Sequence, residues 1–290
     1  MEAIVLQNQA QTGERLEATF LPDKGMNMIS YRHGEIEVID QSTKELFEER
    51  YAGLGALIGP HFHHRLSSTI PPIQDESLFP HIARVKAKGI QEPFSHGIAR
   101  YAPWQAQATA TKVQAKLSGK DLWNGVPLSA LEGQAFTYLF EADLQPDGLH
   151  LDLSITSETD SLVGLHYYYH LPEGTGMVES QIQSTFIEKN ERKPLLPHLQ
   201  VDSQQMMHFD LKGEADYTFF PLPNPRVGKV TLNVGRYALI TSYSCPSQEN
   251  CWQLYHPAGA SFACIEPISS QDPRHPNLTA SRLRVHLQVI

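Results

Sequence analysis

The sequence predicts an all-β protein built from many strands. Apolar and polar residues alternate along residues 149–155 and 282–290, which is the pattern of a strand with one buried face. Turn residues such as Pro and Gly separate the alternating segments. Helical periodicity is scarce, and no repeat, linker or change in composition divides the chain. We therefore expect a single domain over residues 1–290.

Local patterns predict two strand pairs. Residues 136–143 and 149–155 read as one pair, and the intervening QPDG supplies a turn because Pro presets φ and Gly accepts a positive φ. Residues 229–234 and 237–242 read as a second pair, joined by Gly-Arg. Both pairs are typical of antiparallel hairpins.

The remaining segments are less regular. Residues 42–51 (STKELFEERY) open with Ser and Thr and carry an acidic residue at capping-box spacing, so a short helix is predicted there. Residues 69–90 contain several prolines and predict a long loop, of a length that is often functional.

Composition excludes several classes of protein. The 290 residues carry a formal net charge of −9 and no Lys/Arg-rich run, so no nucleic-acid partner is expected. No apolar stretch approaches the ~18 residues of a membrane helix, and the N-terminus lacks a signal-peptide pattern. Three cysteines predict free thiols in a reducing compartment, so a cytoplasmic location is expected.

Glu266 is the candidate general base. It lies between Ile265 and Pro267, at the end of an apolar segment that reads as a strand. Apolar neighbours would exclude water from the carboxylate and raise its pKa, which suits a general base. An ordinary solvated glutamate at a strand end is the alternative.

His166 is the candidate general acid, because an imidazole can exchange a proton near neutral pH. Strand alternation puts His166, Tyr168 and His170 on one face, and Tyr167 and Tyr169 on the other. The ring of Tyr168 could stack on the C–H groups of a sugar while polar groups bond its hydroxyls. A hydrogen-bonded core histidine is the alternative for His166.

Three further residues are candidates for ligand binding. His96 precedes Gly97, so the backbone there could approach a ligand closely. Arg65 ends a histidine-rich segment, and its fork of donors could bind sugar oxygens. Asp216 precedes an aromatic segment and could accept hydroxyl protons, although a turn aspartate is the alternative.

A metal site at His61, His63 and His64 is a further alternative. His-x-His on a strand puts both rings on one face, as in the metal sites of cupin-like barrels. No carboxylate follows at a short spacing, since Glu76 is 13 residues beyond His63. The chain also lacks a nucleophile elbow and a phosphate-cradling Gly-rich loop.

Taken in order, these segments resemble the aldose 1-epimerase (galactose mutarotase) family. That family has an Arg-containing segment, His-Gly-Phe-Ala-Arg with a Trp nearby, Gly-x-His-Pro-Tyr-Phe-x-Leu-Pro, an Asp before an aromatic strand, and Cys-x-Glu-Pro. This chain reads HGIAR at 96–100 with Trp104, GLHYYYHLP at 164–172, DYTFF at 216–220 and CIEP at 264–267. The resemblance spans roughly residues 15–275.

The resemblance implies a β-supersandwich of stacked antiparallel sheets. It also implies interconversion of the α and β anomers of a free hexose, without a cofactor or a metal. His166 matches the catalytic acid and Glu266 the catalytic base of the family. His96, Arg65 and Asp216 match its sugar-binding positions. The expected partner is a small-molecule sugar, and the expected assembly is a monomer or homodimer without a membrane.

The chain departs from the family pattern at four positions. Tyr167 and Tyr169 stand where the family has Pro and Phe, Ile98 replaces a Phe, and His64 replaces a residue that is often Asn. The basic residues around Arg65, with Arg84, could admit a phosphate. A hexose-6-phosphate 1-epimerase and a non-catalytic sugar-binding protein therefore stay open as alternatives.

Overall fold

The computed structural model describes residues 2–195 and 199–290 of the chain, and most of its regular structure is strand. The strands are β1 (Ile4–Gln9), β2 (Arg15–Leu21), β3 (Asn27–His33), β4 (Ile36–Glu37), β5 (Gly55–Ile58), β6 (Gln105–Ala108), β7 (Lys112–Ser118), β8 (Leu122–Trp123), β9 (Val126–Pro127), β10 (Phe136–Gln145), β11 (Gly148–Ser157), β12 (Gly164–His170), β13 (Met177–Glu188), β14 (Glu191–Pro194), β15 (Gln200–Val201), β16 (Met206–Asp210), β17 (Ala215–Pro221), β18 (Val227–Asn233), β19 (Ala238–Ser244), β20 (Cys251–His256), β21 (Phe262–Ile268) and β22 (Ala280–Val289).

Helices are few and short. The α-helices are α1 (Lys44–Arg50), α2 (Pro80–Ala87) and α3 (Leu128–Glu132), and the 3₁₀ turns are Pro22–Lys24, Gln41–Thr43, Ser67–Thr69, Glu76–Leu78 and Ile98–Arg100. Within the described ranges, no helix is long and apolar enough to span a membrane. The all-β prediction is confirmed.

The strands form two antiparallel sheets that share β13. The first sheet has the order β1-β2-β3-β5-β12-β21-β20-β17-β13-β14. The second has the order β6-β7-β10-β11-β22-β19-β18-β13-β16-β15. The short strand β4 also pairs with β3 in the first sheet, and β8-β9 form a separate short ribbon.

One hydrophobic cluster holds the two sheets together. It contains Leu16 and Phe20 of the first sheet and Phe140 and Leu153 of the second, all 0–2% exposed. The rings of Phe20 and Phe140 meet edge-to-face with their centroids 5.7 Å apart. Each such side chain contributes about 1.5–3 kcal/mol by its burial. The stacked sheets are thus held by the apolar residues of the alternating pattern.

The predicted hairpins are confirmed. β10 and β11 pair antiparallel from Phe136↔Ser157 to Gln145↔Gly148, so the predicted turn joins them directly. β18 and β19 form the second hairpin, and the C-terminal alternation becomes β22, which lies between β11 and β19. Local alternation and turn chemistry agree here with the tertiary structure.

Two local predictions need correction. The helix predicted at residues 42–51 is an α-helix only over Lys44–Arg50, and the side chain of Asp40 accepts from the amide of Ser42 to start the preceding 3₁₀ turn. Residues 69–90 are not a continuous loop, because α2 lies within them. Pro80 occupies the first helical turn, where its missing N–H costs no hydrogen bond.

Successive side chains of β12 point alternately to its two faces, one of which packs in the core and the other of which faces the cavity. Tyr167 and Tyr169 are 0% exposed and pack in the core with their ring centroids 6.3 Å apart. His166 and Tyr168 project from the opposite face, where their rings stack at 5.1 Å. The face assignment made from the sequence is confirmed.

Candidate active site

A cavity of about 260 Å³ lies over the first sheet. Most ligand pockets have volumes of roughly 300–1,000 Å³, so this cavity is slightly smaller than that range. Its volume suits a small ligand such as a single monosaccharide. The residues that line it come from β12, β21, β20, β17, the end of α1, α2 and two loops: Arg50, Ala52, His63, His64, Val85, Ile90, Ser95, His96, Arg100, Tyr101, His166, Tyr168, Asp216, Gln253, Tyr255 and Glu266.

Strand register brings His166 and Glu266 together. β12 and β21 pair antiparallel with Gly164↔Ile268 and Tyr168↔Cys264, so His166 and Glu266 lie opposite each other on one face. Nε2 of His166 is 3.4 Å from Oε1 of Glu266. Glu266 lies inside β21 rather than at the end of a strand, so the expected strand boundary is wrong by a few residues.

Glu266 is a buried carboxyl group with unsatisfied oxygens. Its residue is 1% exposed, and neither carboxylate oxygen has a hydrogen-bond partner among the described residues. Burial raises its pKa well above the ordinary value of 4.5, the negative charge of Asp216 raises it further, and Arg100 opposes both. The solvated-glutamate alternative is thereby excluded by its burial.

His166 is buried and largely neutral. Burial lowers its pKa well below 6.5, and the positive charge of Arg100 acts in the same direction. Nδ1 of His166 has no hydrogen-bond partner in the described part of the chain. The pair therefore holds one proton, with neutral His166 and neutral Glu266 favoured in the free cavity, because burial penalises both charged forms.

His96 lies beside His166 on a tight backbone turn. The two rings meet edge-to-face with centroids 5.0 Å apart, and burial lowers the pKa of His96 well below 6.5. His96 has φ 68° and Gly97 has φ 90°. A Cβ on Gly97 would lie 2.0 Å from the carbonyl oxygen of Gly59, so only glycine allows this close backbone approach.

Tyr168 and Asp216 are two further polar residues of the lining. Tyr168 presents its ring beside His166, as described above. Asp216, on β17, is exposed and accepts a hydrogen bond from Nε2 of Gln253 at 2.9 Å. Partial burial raises the pKa of Asp216, against the opposing charge of Arg274. Its other carboxylate oxygen can accept a ligand hydroxyl.

Arg65 is not among the residues that line the cavity. Its Nε and Nη2 donate to the two carboxylate oxygens of Glu92, both at 2.8 Å, and its Nη1 donates to the carbonyl of Glu132 at 2.6 Å. The guanidinium fork is therefore occupied within the protein. The structure thus places Arg65 outside the cavity lining, and a role for it in sugar binding stays a prediction.

Two other arginines, Arg50 and Arg100, line the cavity although no candidate role was predicted for them from the sequence. Nη2 of Arg100 and Nε of Arg50 are buried, and each lacks a hydrogen-bond partner in the ranges that the structure describes. Arg100 is 3% exposed and belongs to the HGIAR segment, so its position in that motif was the available signal. Arg50 ends α1, and no sequence pattern pointed to it.

The three histidines of the segment 61–64 lie in two different environments, one beside Glu132 and the other at the cavity. Nδ1 of His61 lies 2.7 Å from Oε1 of Glu132, whereas His63 and His64 stack at 4.3 Å and line the cavity. These three rings do not converge on a common point. His166 and Glu266, which line the cavity, form one set of potential metal ligands with the buried Cys264, and the ligand atoms of the three lie within 4.8 Å of one another.

These observations define the class of structure: stacked antiparallel sheets with a buried His–Glu pair over one of them. The chain has the galactose mutarotase-like fold. It is similar over 100% of both chains to a galactose mutarotase-like protein from Lactobacillus casei ATCC 334, with a TM-score of 0.68 and 12% identity. A GalM/aldose epimerase homologue from C. elegans gives a TM-score of 0.66 at 13% identity, again over 100% of both chains.

A third solved structure extends the comparison. A galactose mutarotase related enzyme from Lactobacillus acidophilus gives a TM-score of 0.63 at 12% identity, covering 99% of this chain and 97% of that one. No family model matches the sequence, and no curated protein sequence matches it either. The similarity is therefore one of fold.

Proposed function

We propose that the protein is an aldose 1-epimerase that interconverts the α and β anomers of a hexose. The observation that carries this proposal is the buried pair of His166 and Glu266, 3.4 Å apart in a cavity of monosaccharide size. Anomer exchange needs one group to take a proton from a hydroxyl and a second to give a proton to the ring oxygen. The similarity in fold to mutarotase-like proteins supports the same reading.

The reaction balances with these two groups alone. Glu266 takes the proton of the anomeric hydroxyl O1 while His166 gives a proton to the ring oxygen O5. The C1–O5 bond breaks, and C1 and O1 become an aldehyde carbonyl. Rotation about the C1–C2 bond presents the other carbonyl face to O5, and ring closure returns both protons. Each positioned acid or base typically contributes ~10²–10⁴-fold to the rate.

Substrate binding would convert the pair of His166 and Glu266 from its neutral form into its reactive, ionised form. The reactive form has ionised Glu266 and protonated His166, which holds the same number of protons as the neutral form favoured by burial. A sugar hydroxyl that donates to the unsatisfied carboxylate of Glu266 stabilises its ionised form and lowers its pKa. Substrate binding would thus shift the proton towards His166 without any exchange with solvent.

His96, Tyr168 and Asp216 would hold the pyranose. Neutral His96 can donate to O5 or to a neighbouring hydroxyl, and Asp216 can accept hydroxyl protons. The ring of Tyr168 offers an apolar face to C–H groups. Holding the sugar in one orientation is itself a sizeable contribution to the rate.

The test is anomer exchange followed by NMR or polarimetry on α-glucose and α-galactose. We expect Glu266→Gln and His166→Asn each to lower kcat/KM by ~10²-fold or more. The matched control is the cross-strand pair Glu179 and His208, at 2.8 Å outside the cavity, whose Glu179→Gln and His208→Asn variants should keep full activity. Unchanged exchange rates in both cavity variants would disprove the mechanism.

A hexose-6-phosphate 1-epimerase is the second candidate. The observation that favours it is the pair of partnerless guanidinium nitrogens on Arg50 and Arg100 at the cavity. Arginine N–H groups bind phosphate oxygens strongly, and a lost charged hydrogen bond costs about 1.5–3 kcal/mol. We expect Arg50→Gln to raise the KM for a hexose 6-phosphate at least about tenfold while leaving that for the free hexose unchanged.

The matched control for this arm is Arg84→Gln. Arg84 lies on α2, donates to the carbonyl of Glu49 and is not among the lining residues, so its replacement should change neither KM. Equal use of free and phosphorylated sugars would reject the phosphate requirement. Calorimetric binding of a sugar without any anomer exchange would instead identify a non-catalytic sugar-binding protein.

A further inference from the structure

Three potential metal ligands meet at the β10–β11 turn, on the second sheet. Asp147 belongs to the turn, His150 lies on β11, and His286 lies directly opposite His150 on β22. Their ligand atoms all lie within 4.8 Å of one another. None of the three residues lines the cavity that contains His166 and Glu266.

Both imidazoles direct Nε2 towards the same aspartate. Nε2 of His150 is 3.0 Å from Oδ1 of Asp147, and Nε2 of His286 is 3.8 Å from Oδ2 of Asp147. The two rings are nearly parallel, at 9°, with centroids 4.0 Å apart. Ligand atoms around a tetrahedral zinc ion are roughly 3.4 Å apart, given Zn–N distances of about 2.0–2.1 Å. Small rotations of the side chains would satisfy that geometry.

The backbone leaves space at this point. Gly148 has φ 136°, and a Cβ on it would lie 2.3 Å from the carbonyl oxygen of Leu287 and 3.0 Å from Nε2 of His286. Any larger residue would crowd the nitrogen that must face an ion.

We propose that Asp147, His150 and His286 bind a divalent transition-metal ion, with Zn²⁺ the best match. Two imidazoles and one carboxylate are ligands that suit zinc and its neighbours in the first transition row, whereas Mg²⁺ and Ca²⁺ prefer oxygen alone. Nε2 of each ring now donates to an oxygen of Asp147. On binding, the single proton of each neutral ring moves from Nε2 to Nδ1, which frees the Nε2 lone pair for the ion and releases no net proton. Water supplies the fourth ligand.

The ion would join the β10–β11 turn to the C-terminal strand β22. Binding to the folded chain alone raises its stability in proportion to the logarithm of the ion concentration above Kd. The site therefore predicts a zinc-dependent rise in Tm that requires no sugar and no catalytic group. Its success or failure is independent of the proposed epimerase activity.

The experiment is titration calorimetry of metal-free full-length protein with ZnCl₂, beside thermal unfolding with and without Zn²⁺. We expect one ion to bind the wild type and to raise its Tm, and MgCl₂ to do neither. His286→Gln and His150→Gln should each weaken Zn²⁺ binding at least about tenfold. The matched control is His275→Gln, because Asp272 and His275 form the same i,i+3 pair at 3.1 Å without a third ligand near them in the described structure.

Four results would overturn the proposal. They are no Zn²⁺ binding by the wild type at millimolar concentration, undiminished binding by His286→Gln and His150→Gln, equal weakening in His275→Gln, and loss of binding in Glu266→Gln instead. The last would assign the ion to His166, Cys264 and Glu266 in the cavity. Circular dichroism of each variant checks folding, and the anomer exchange rate of His286→Gln should equal that of the wild type.

Discussion

At the scale of single residues, burial is the largest influence on the pKa values of His166 and Glu266. Both groups are ordinary titratable side chains whose pKa values move in opposite directions on burial, downwards for His166 and upwards for Glu266. The mechanism needs the ionised pair, whereas the free cavity favours the neutral pair. In the proposed mechanism, a residue that alters this balance, such as Arg100, would act on the rate without taking a proton itself.

Because the pKa of His166 is lowered and that of Glu266 is raised, His166 should titrate at an unusually low pH. In the free protein, the imidazole of His166 should remain neutral until the pH falls below 6.5, because burial lowers its pKa from that value. The acid limb of kcat/KM should follow the same step, since below it both groups are protonated. NMR titration of the His166 ring, assigned by its loss in His166→Asn, measures this step. Protonation above pH 6.5 would contradict this lowered pKa.

Arg65 illustrates a residue whose role is structural. Its side chain is 12% exposed and pairs with Glu92, which is 1% exposed. Burial alone raises the pKa of Glu92, but the hydrogen bond from Arg65 and the nearby positive charges outweigh it and lower the pKa below 4.5. The stability contributed by the pair is therefore present above pH 4.5 and is lost as the pH falls below it.

We expect Arg65→Gln to destabilise the fold by about 3 kcal/mol at pH 7, because it leaves the buried Glu92 without its partner. Urea unfolding measures the loss, with Arg282→Gln as the control. Arg282 pairs with Asp152 at the surface, where an ion pair is worth less than about 1 kcal/mol. Unchanged stability of Arg65→Gln, with a raised KM for the sugar, would return Arg65 to the binding site.

At the scale of elements, the loop that carries His96 matters most. It is fixed by contacts at both ends, because the amide of His96 donates to the carbonyl of His63 at 2.9 Å and the amide of Ile98 donates to the Glu132 carboxylate at 3.0 Å. Glu132 lies at the end of α3 and also bonds His61. The histidine-rich segment and α3 thus hold the HGIAR turn against β5.

Gly97→Ala tests the role of this loop. A Cβ would lie 2.0 Å from the oxygen of Gly59, so the backbone must move and carry His96 away from His166. We expect kcat/KM to fall ~10²-fold, as a displacement of about 1 Å can do. The control is Gly235→Ala, which has a similar φ of 81° but open space around it. Full activity in Gly97→Ala would show that His96 does not depend on the turn.

At the scale of the whole molecule, the two sheets have separate tasks. The first sheet carries the cavity, and the second packs against it through the shared apolar core. β13 belongs to both sheets, so they are covalently continuous as well as packed. Loss of packing in the second sheet should therefore affect stability more than chemistry.

Leu153→Ala on β11 tests this separation. Leu153 is 0% exposed, and its truncation leaves a cavity in the core that costs about 2–5 kcal/mol. Anomer exchange per folded molecule should stay unchanged, since Leu153 does not line the active-site cavity. Leu139→Ala on the neighbouring strand, where Leu139 is 48% exposed, should cost far less stability. Unfolding curves and exchange NMR on the same samples provide both readouts.

The sequence alone determined the all-β class, the hairpins, the two faces of β12 and the candidate acid and base, because alternation and turn chemistry are local. It did not reveal α2, because a proline such as Pro80 is found in the first turn of helices as well as in loops. Only the tertiary structure decided that Arg65 turns to Glu92, that Arg50 and Arg100 reach the cavity, and that His150 meets His286. Those outcomes depend on contacts between segments that are distant in the sequence. Such contacts, more than the adjacent residues, determine where a guanidinium or an imidazole group lies.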